Sequence, residues 1–221
     1  MGTPVSETTE RTRIRRLPEK ASTDRDDLDR VLDAGLVAHV TVMNHDVPLA
    51  IPVAYARRGD EVLFHGSTGS RLFRTLSEGA PTCLTVTLLD GLVVARSAFE
   101  SSMHYRSAML LGTASRISGD DELDALRTIT EHLLPGRWQE CRQPNPKERA
   151  ATMTLSLPIE EWSLKLSDGD PDDEPADVTD ETYGRIWAGV VPLREEFGAP
   201  RRSADCPDDI SVPEYVRAWR R

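Results

Sequence analysis

Between Leu36 and Ile117 the chain is a succession of short, β-branched runs separated by turn residues, with a single helical segment among them. Alternating βαβ construction needs a helix after nearly every strand, so this rhythm excludes a doubly wound parallel sheet. Six or so short strands with one helix among them suit an antiparallel barrel, and the expected class is mainly β with a few helices (α+β). The first run covers 37–43 and turns at Asn44-His45-Asp46. The second covers 47–57, where Pro48 and Pro52 demand an edge, a bulge or irregular pairing, since neither can donate to a ladder. Gly59-Asp60 leads into 62–64. Residues 82–88 alternate, with Leu84, Val86 and Leu88 on one side and Cys83, Thr85 and Thr87 on the other. Asp90-Gly91 reads as a hairpin signal ahead of 92–95. Residues 105–112 run on toward Ile117, and 153–159 and 162–166 read as two closing strands.

The one helix inside this β region begins at a distinctive junction. Val62, Leu63 and Phe64 end in His65, and Gly66-Ser67-Thr68-Gly69-Ser70 opens a helix carrying Leu72, Phe73 and Leu76 on one face. Free backbone N–H groups at such a junction suit an anion; Ser70 can cap and Arg71 can add a charged donor, so a phosphate is the natural guest. The competing reading is an ordinary strand–turn–helix in which Ser70 only caps. His65 could donate to a phosphate or a heteroaromatic edge, or make a structural hydrogen bond.

Elsewhere, Ser22 or Thr23 can cap a short helix carrying Leu28, Val31 and Leu32 and closed by Gly35. Residues 120–134 form the clearest helix, with Leu123, Leu126, Ile129, Leu133 and Leu134 as its apolar stripe. The expected domain plan is a polar, arginine-rich arm at 1–21, a barrel domain at 22–193 with an acidic exposed loop at 168–181, and a charged tail at 194–221. A net charge of -10 argues against general nucleic-acid binding. Cys83, Cys141 and Cys206 lack metal-site spacing and fit a reducing compartment; with no membrane-length apolar run and no signal-peptide core, the expected location is cytoplasmic. His39, His45, His65, His104 and His132 are scattered, so no zinc site is expected, and no Gly-x-Ser-x-Gly elbow is present. His39 reads as structural and His132 as a surface residue. Tyr105 and Arg106 open a strand in a second concentration of donors, where adjacency sends them to opposite faces; Arg106 paired with a carboxylate is the plain alternative.

Six motifs in order carry a family resemblance: PLAIPVAY at 48–55, LFHGSTGSRL at 63–72, TVTLLDGLVVARS at 85–97, MHYRS at 103–107 with Gly112, PGRW at 135–138 and WAGVVPL at 187–193. The chain resembles the flavin-nucleotide-binding branch of the pyridoxamine 5'-phosphate oxidase-like proteins, related to nitroimidazole-resistance proteins. The resemblance implies an antiparallel FMN-binding split β-barrel, a homodimer with flavin at the interface, and an unidentified small-molecule substrate. It implies Ile51, Pro52 and Val53 along the isoalloxazine ring and His65, Gly66 and Ser67 near the ribityl chain and phosphate. Ser70 and Arg71 become phosphate donors, Tyr105 and Arg106 add flavin or phosphate contacts, and Trp187 covers the ring from the partner chain. Arg106, and more remotely Lys165, would supply a cation near the reduced ring. No catalytic acid or base is evident, since the flavin supplies the redox chemistry. The residues 216–221 do not match the C-terminal substrate-binding segment of true pyridoxamine phosphate oxidases. The expectation is an FMN-dependent oxidoreductase; the alternatives are a non-catalytic flavin-binding or storage protein, and a haem- or deazaflavin-binding member of the same barrel.

Overall fold

The computed structural model describes residues 9–220. Its elements in order are β1 (Ala21–Ser22), α1 (Arg25–Ala34), β2 (Val37–Asn44), β3 (Val47–Arg58), β4 (Glu61–Ser67), α2 (Arg71–Ser77), β5 (Pro81–Val94), β6 (Ser102–Thr113) and β7 (Ser115–Ile117). They continue with α3 (Asp120–Leu133), α4 (Pro146–Ala151), β8 (Thr152–Pro158), β9 (Glu161–Leu166), α5 (Pro175–Thr179), β10 (Gly189–Pro192) and α6 (Glu214–Ala218). The strands run in the order β1-β9-β6-β5-β2-β3-β4-β8-β7, with β10 added to β5. Only Ala114 separates β6 from β7, yet β6 pairs with β5 and β9 while β7 pairs with β8. One bent strand thus joins the two ends of the sheet, and the expected antiparallel split barrel is what forms.

The split is visible in the ladders. Strands β3 and β4 pair only from Tyr55–Phe64 to Arg58–Glu61. Beyond that step β3 stays on β2 out to Val47, and β4 stays on β8 out to Ser67. Pro48 and Pro52 therefore lie where β3 has a neighbour on one side only, the edge their missing donors require.

Apolar side chains from α1 and α2 plug opposite ends of the barrel. Leu28, Val31 and Leu32 of α1 enter where β3 ends and β4 begins; the fully buried Tyr55 hydroxyl donates to Leu32 O at 2.6 Å, and Arg57 pairs with Asp33 at 2.6 Å. Leu72, Phe73 and Leu76 of α2 enter where β4 ends and β5 begins. Outside the barrel, Ala125 and Ile129 of α3 pack on Ala56, Leu63 and Ile117 in a second cluster.

Several local expectations are corrected. The cap of α1 is Asp24, whose carboxylate accepts from Asp26 N at 2.8 Å; Ser22 instead donates to Asp27. Asp90-Gly91 is no hairpin. It is a bulge inside the single long strand β5, and the chain reverses after Val94. Gly91 is there for space: a Cβ would lie 2.9 Å from Val191 O of β10. His132 is half-buried rather than on the surface, since its Nε2 donates to Gly35 O at 2.7 Å and its ring lies 5.5 Å from that of Tyr55. The described part of the N-terminal arm lies against β9 through bonds from Thr9 and Arg11 to Glu161; residues 1–8 fall outside the described residues. The acidic loop is mostly exposed, but the Asp173 side chain is 6% exposed and receives both Arg96 N and Arg96 Nη1 at 2.6 Å. The charged tail folds back: Trp219 Nε1 donates to Pro135 O at 3.0 Å, and Phe197, Trp219 and Tyr215 form an aromatic row.

Tyr55→Phe removes the bond that ties α1 to the barrel wall and leaves the Leu32 carbonyl short of a buried donor. The expected loss is about 1–2 kcal/mol, read from urea unfolding. A change of only a few tenths would mean that apolar burial alone holds α1 in place.

Candidate functional site

The expected site residues fall into two clusters, one at each end of the barrel. At the α2 end, β4 delivers His65, Gly66 and Ser67, the loop delivers Ser70, and α2 begins at Arg71. Gly66 answers a packing demand, because an added Cβ would meet the Phe73 ring at 2.2 Å. Phe73 in turn sits against Phe64, centroids 5.9 Å apart. The loop amides are less available than the sequence suggests. Thr68 N donates to Ala151 O at 3.0 Å, Gly69 N to Ser67 Oγ at 3.1 Å and Ser70 N to Ser67 O at 2.9 Å. Ser70 stands at the N-cap without capping, and among the described residues its hydroxyl has no hydrogen-bond partner. Arg71 is exposed and makes no ion pair among the described residues. With α2 only seven residues long, an anion here would be held by side-chain donors more than by a helix dipole. Ile51, Pro52 and Val53 run along the β3 stretch that has lost its β4 neighbour.

His65 is the unusual member. It points to the opposite side of β4 from the core residue Phe64, yet its Nδ1 is buried without any hydrogen-bond partner. Burial lowers its pKa, so the imidazole is neutral at pH 7. Directly across the ladder stands Thr154 of β8, fully buried, whose hydroxyl is also without a partner.

At the α1 end, Arg106 makes a two-pronged pair with Asp90, Nε to Oδ2 at 2.9 Å and Nη2 to Oδ1 at 2.7 Å. The hydrogen bonds to Asp90 raise the guanidinium pKa further, so Arg106 is a fixed cation that is already matched. Tyr105 faces the other way, with Lys165 Nζ 5.8 Å from its ring centroid. Trp187 is 64% exposed just ahead of β10. A cavity of about 980 Å³ opens beside Arg106, floored by Leu36, Leu88 and Leu133 and walled by Phe197, Tyr215 and Trp219 of the C-terminal segment. Tyr105, Arg106 and Trp187 therefore lie at the opposite end of the barrel from Ser70 and Arg71, and one chain does not bring all eleven expected residues together. Among the described residues no group of three metal-ligating side chains occurs, and no helix is long and apolar enough to cross a membrane.

A family model described as pyridoxamine 5'-phosphate oxidase matches residues 24–166. The chain belongs to the pyridoxamine 5'-phosphate oxidase family. Within that family's fold, it is similar to the FAD and haem binding protein from Mycobacterium smegmatis, at 46% identity over 90% of this chain and 96% of that one, with a TM-score of 0.85. It is similar also to the flavocytochrome Anf3 from Azotobacter vinelandii, at 38% identity over 95% and 96% of the two chains, with a TM-score of 0.87. A candidate 5-nitroimidazole antibiotic resistance protein from Bacteroides thetaiotaomicron shares the fold alone, at 17% identity over 66% of this chain and 86% of that one, with a TM-score of 0.55. Comparison with curated protein sequences gives no match.

Two residues of this pyridoxamine 5'-phosphate oxidase family member escaped the sequence reading. Asp90 looked like turn chemistry, and Thr154 like an ordinary strand residue. The first is recognisable only once the bulge is known, and the second only from its register opposite His65.

Proposed function

We propose that the protein is a redox protein that holds a flavin nucleotide at the β4–α2 junction and a haem through His65. The observation that carries the haem half is the buried, unpartnered Nδ1 of a neutral His65, supported by likeness along nearly the whole chain to an FAD and haem binding protein and to a flavocytochrome. Other histidines suit iron less well. Both ring nitrogens of His104 are engaged, with Ser167 Oγ at 3.4 Å and Gly169 O at 2.9 Å, and Nε2 of His132 is bound to Gly35 O. His39 and His45 sit exposed on the β2–β3 hairpin.

The flavin half rests on the uncommitted donors of Ser70 and Arg71 beside Ser67, whose own hydroxyl proton is still free while its oxygen accepts from Gly69 N. These groups match a phosphate, and the unpaired stretch of β3 at Ile51, Pro52 and Val53 offers a flat flank for a ring. FAD is preferred to FMN because the relative at 46% identity binds FAD. Bound flavin supplies hydride and one-electron chemistry, and haem supplies one-electron chemistry. The chain's share is to grip the phosphate, keep the imidazole neutral and shield both groups from water.

A homodimer completes this reading. Tyr105, Arg106 and Trp187 lie at the barrel end away from Arg71, so a two-fold partner is what would set them beside a flavin held at the α2 end. The outer flank of β2 and β3 is uncovered, with Val37, Met43 and Val47 at least half exposed. Light scattering should give twice the chain mass, and a monomer at micromolar concentration would refute the shared site.

Apo-protein mixed with FAD and haemin should show a flavin absorption and a Soret band together after desalting. His65→Ala should lose the Soret band and keep the flavin. Arg71→Ala should weaken FAD about 10- to 100-fold, the worth of a charge-assisted phosphate bond, and keep the haem. Protein that stays colourless with both cofactors would sink the proposal. Tighter binding of FMN than FAD would reassign the flavin.

A further inference from the structure

The face of β8 that carries Thr154 is otherwise well matched to its surroundings. Ser156 on the same face donates to Glu61, while Ile117 pairs with Thr154 from β7 in a largely apolar setting under α3. Valine has nearly the same shape as threonine and a strong preference for strands, so it would fill this position without leaving a hydroxyl stranded. The hydroxyl is the anomaly. Among the described residues only two other buried side-chain atoms lack a partner: Arg96 Nε, whose neighbouring nitrogen is bound to Asp173, and His65 Nδ1. Thr154 and His65 are direct cross-strand partners, so their side chains rise side by side from the same face of the sheet. Two unpartnered polar atoms thus belong to paired residues, one able to donate or accept and the other needing a fixed proton.

We propose that Thr154 is a positioning residue whose hydroxyl oxygen accepts the Nδ1 proton of His65 and so pins the tautomer in which Nε2 keeps its lone pair for iron. This inference rests on the haem reading given above. A ligating imidazole holds its ring and its basicity through an acceptor on the other nitrogen, and the hydroxyl of its cross-strand partner Thr154 is the acceptor that the register supplies. Of the two ring nitrogens it is Nδ1 that is buried without a partner, so Nδ1 takes the bond to Thr154 and Nε2 is left for iron. Were the hydroxyl to donate instead, Nε2 would carry the proton and could bind only an acceptor such as a flavin oxygen.

The test compares wild-type protein with Thr154→Val, Thr154→Ser and His65→Ala. Haemin is titrated into each apo-protein, the haem reduction potential is measured, and thermal unfolding of the apo-proteins checks folding. Thr154→Val should fold normally, bind haemin about 10- to 100-fold more weakly and shift the potential upward, as expected when a ligand loses its supporting acceptor. Thr154→Ser should restore both values. Unchanged affinity and potential in Thr154→Val, with haem lost only in His65→Ala, would overturn the role of Thr154 while leaving the haem reading intact. Wild-type protein that takes up no haemin, or His65→Ala that takes it up equally well, would overturn the haem reading and this inference with it.

Discussion

The parting of β3 from β4 above the Tyr55–Phe64 step is the constraint from which the rest of the molecule follows. Two antiparallel strands that diverge must each find another partner or present an edge. Strand β4 stays paired with β8 through Ser67, whereas β3 continues on β2 alone, with Pro48 and Pro52 blunting its open side. The gap between them is closed from the end by α2, and Gly66 is the point at which Phe73 can enter. His65, Ser67, Ser70 and Arg71 are therefore held at one mouth of the barrel by core packing, independently of any ligand.

The opposite mouth follows a different logic. There α1 is tied down by Tyr55 and by pairs such as Arg57–Asp33, and the β5 bulge lets β10 pass close to Gly91. Asp90 projects from the bulge to hold Arg106, and its carbonyl accepts Leu193 N at 2.9 Å, so the C-terminal segment starts from a fixed point. A net charge of -10 coexists with this arrangement because many arginines are matched locally, as Arg106 and Arg96 are. Arg71 stands apart from that pattern, which is why it suits a phosphate better than Arg106 does.

Much of the barrel was legible from local patterns. The alternation of Leu84, Val86 and Leu88, the prolines of β3 and the stripe on α3 each report a periodicity that neighbouring residues determine. What failed was decided by distant contacts. Asp90-Gly91 carries hairpin chemistry, but its backbone is shaped by β10, a hundred residues on. The residues 194–221 read only as a charged tail, and the docking of Tyr215 and Trp219 on the Pro135-Gly136 turn at the end of α3 carries no local signal. The junction loop was recognised, though its amides are largely spent on Ala151 and Ser67, and the hydroxyl opposite His65 depends on strand register that no local pattern encodes.

The role of His65 is decided by where iron sits. A crystal structure of the haemin-loaded protein, with diffraction recorded at the iron absorption edge, locates the metal directly. An iron peak is expected at bonding distance from His65 Nε2, with Thr154 Oγ1 within hydrogen-bond reach of Nδ1. Iron bound to another residue, such as His132 beside the cavity near Arg106, would contradict that role.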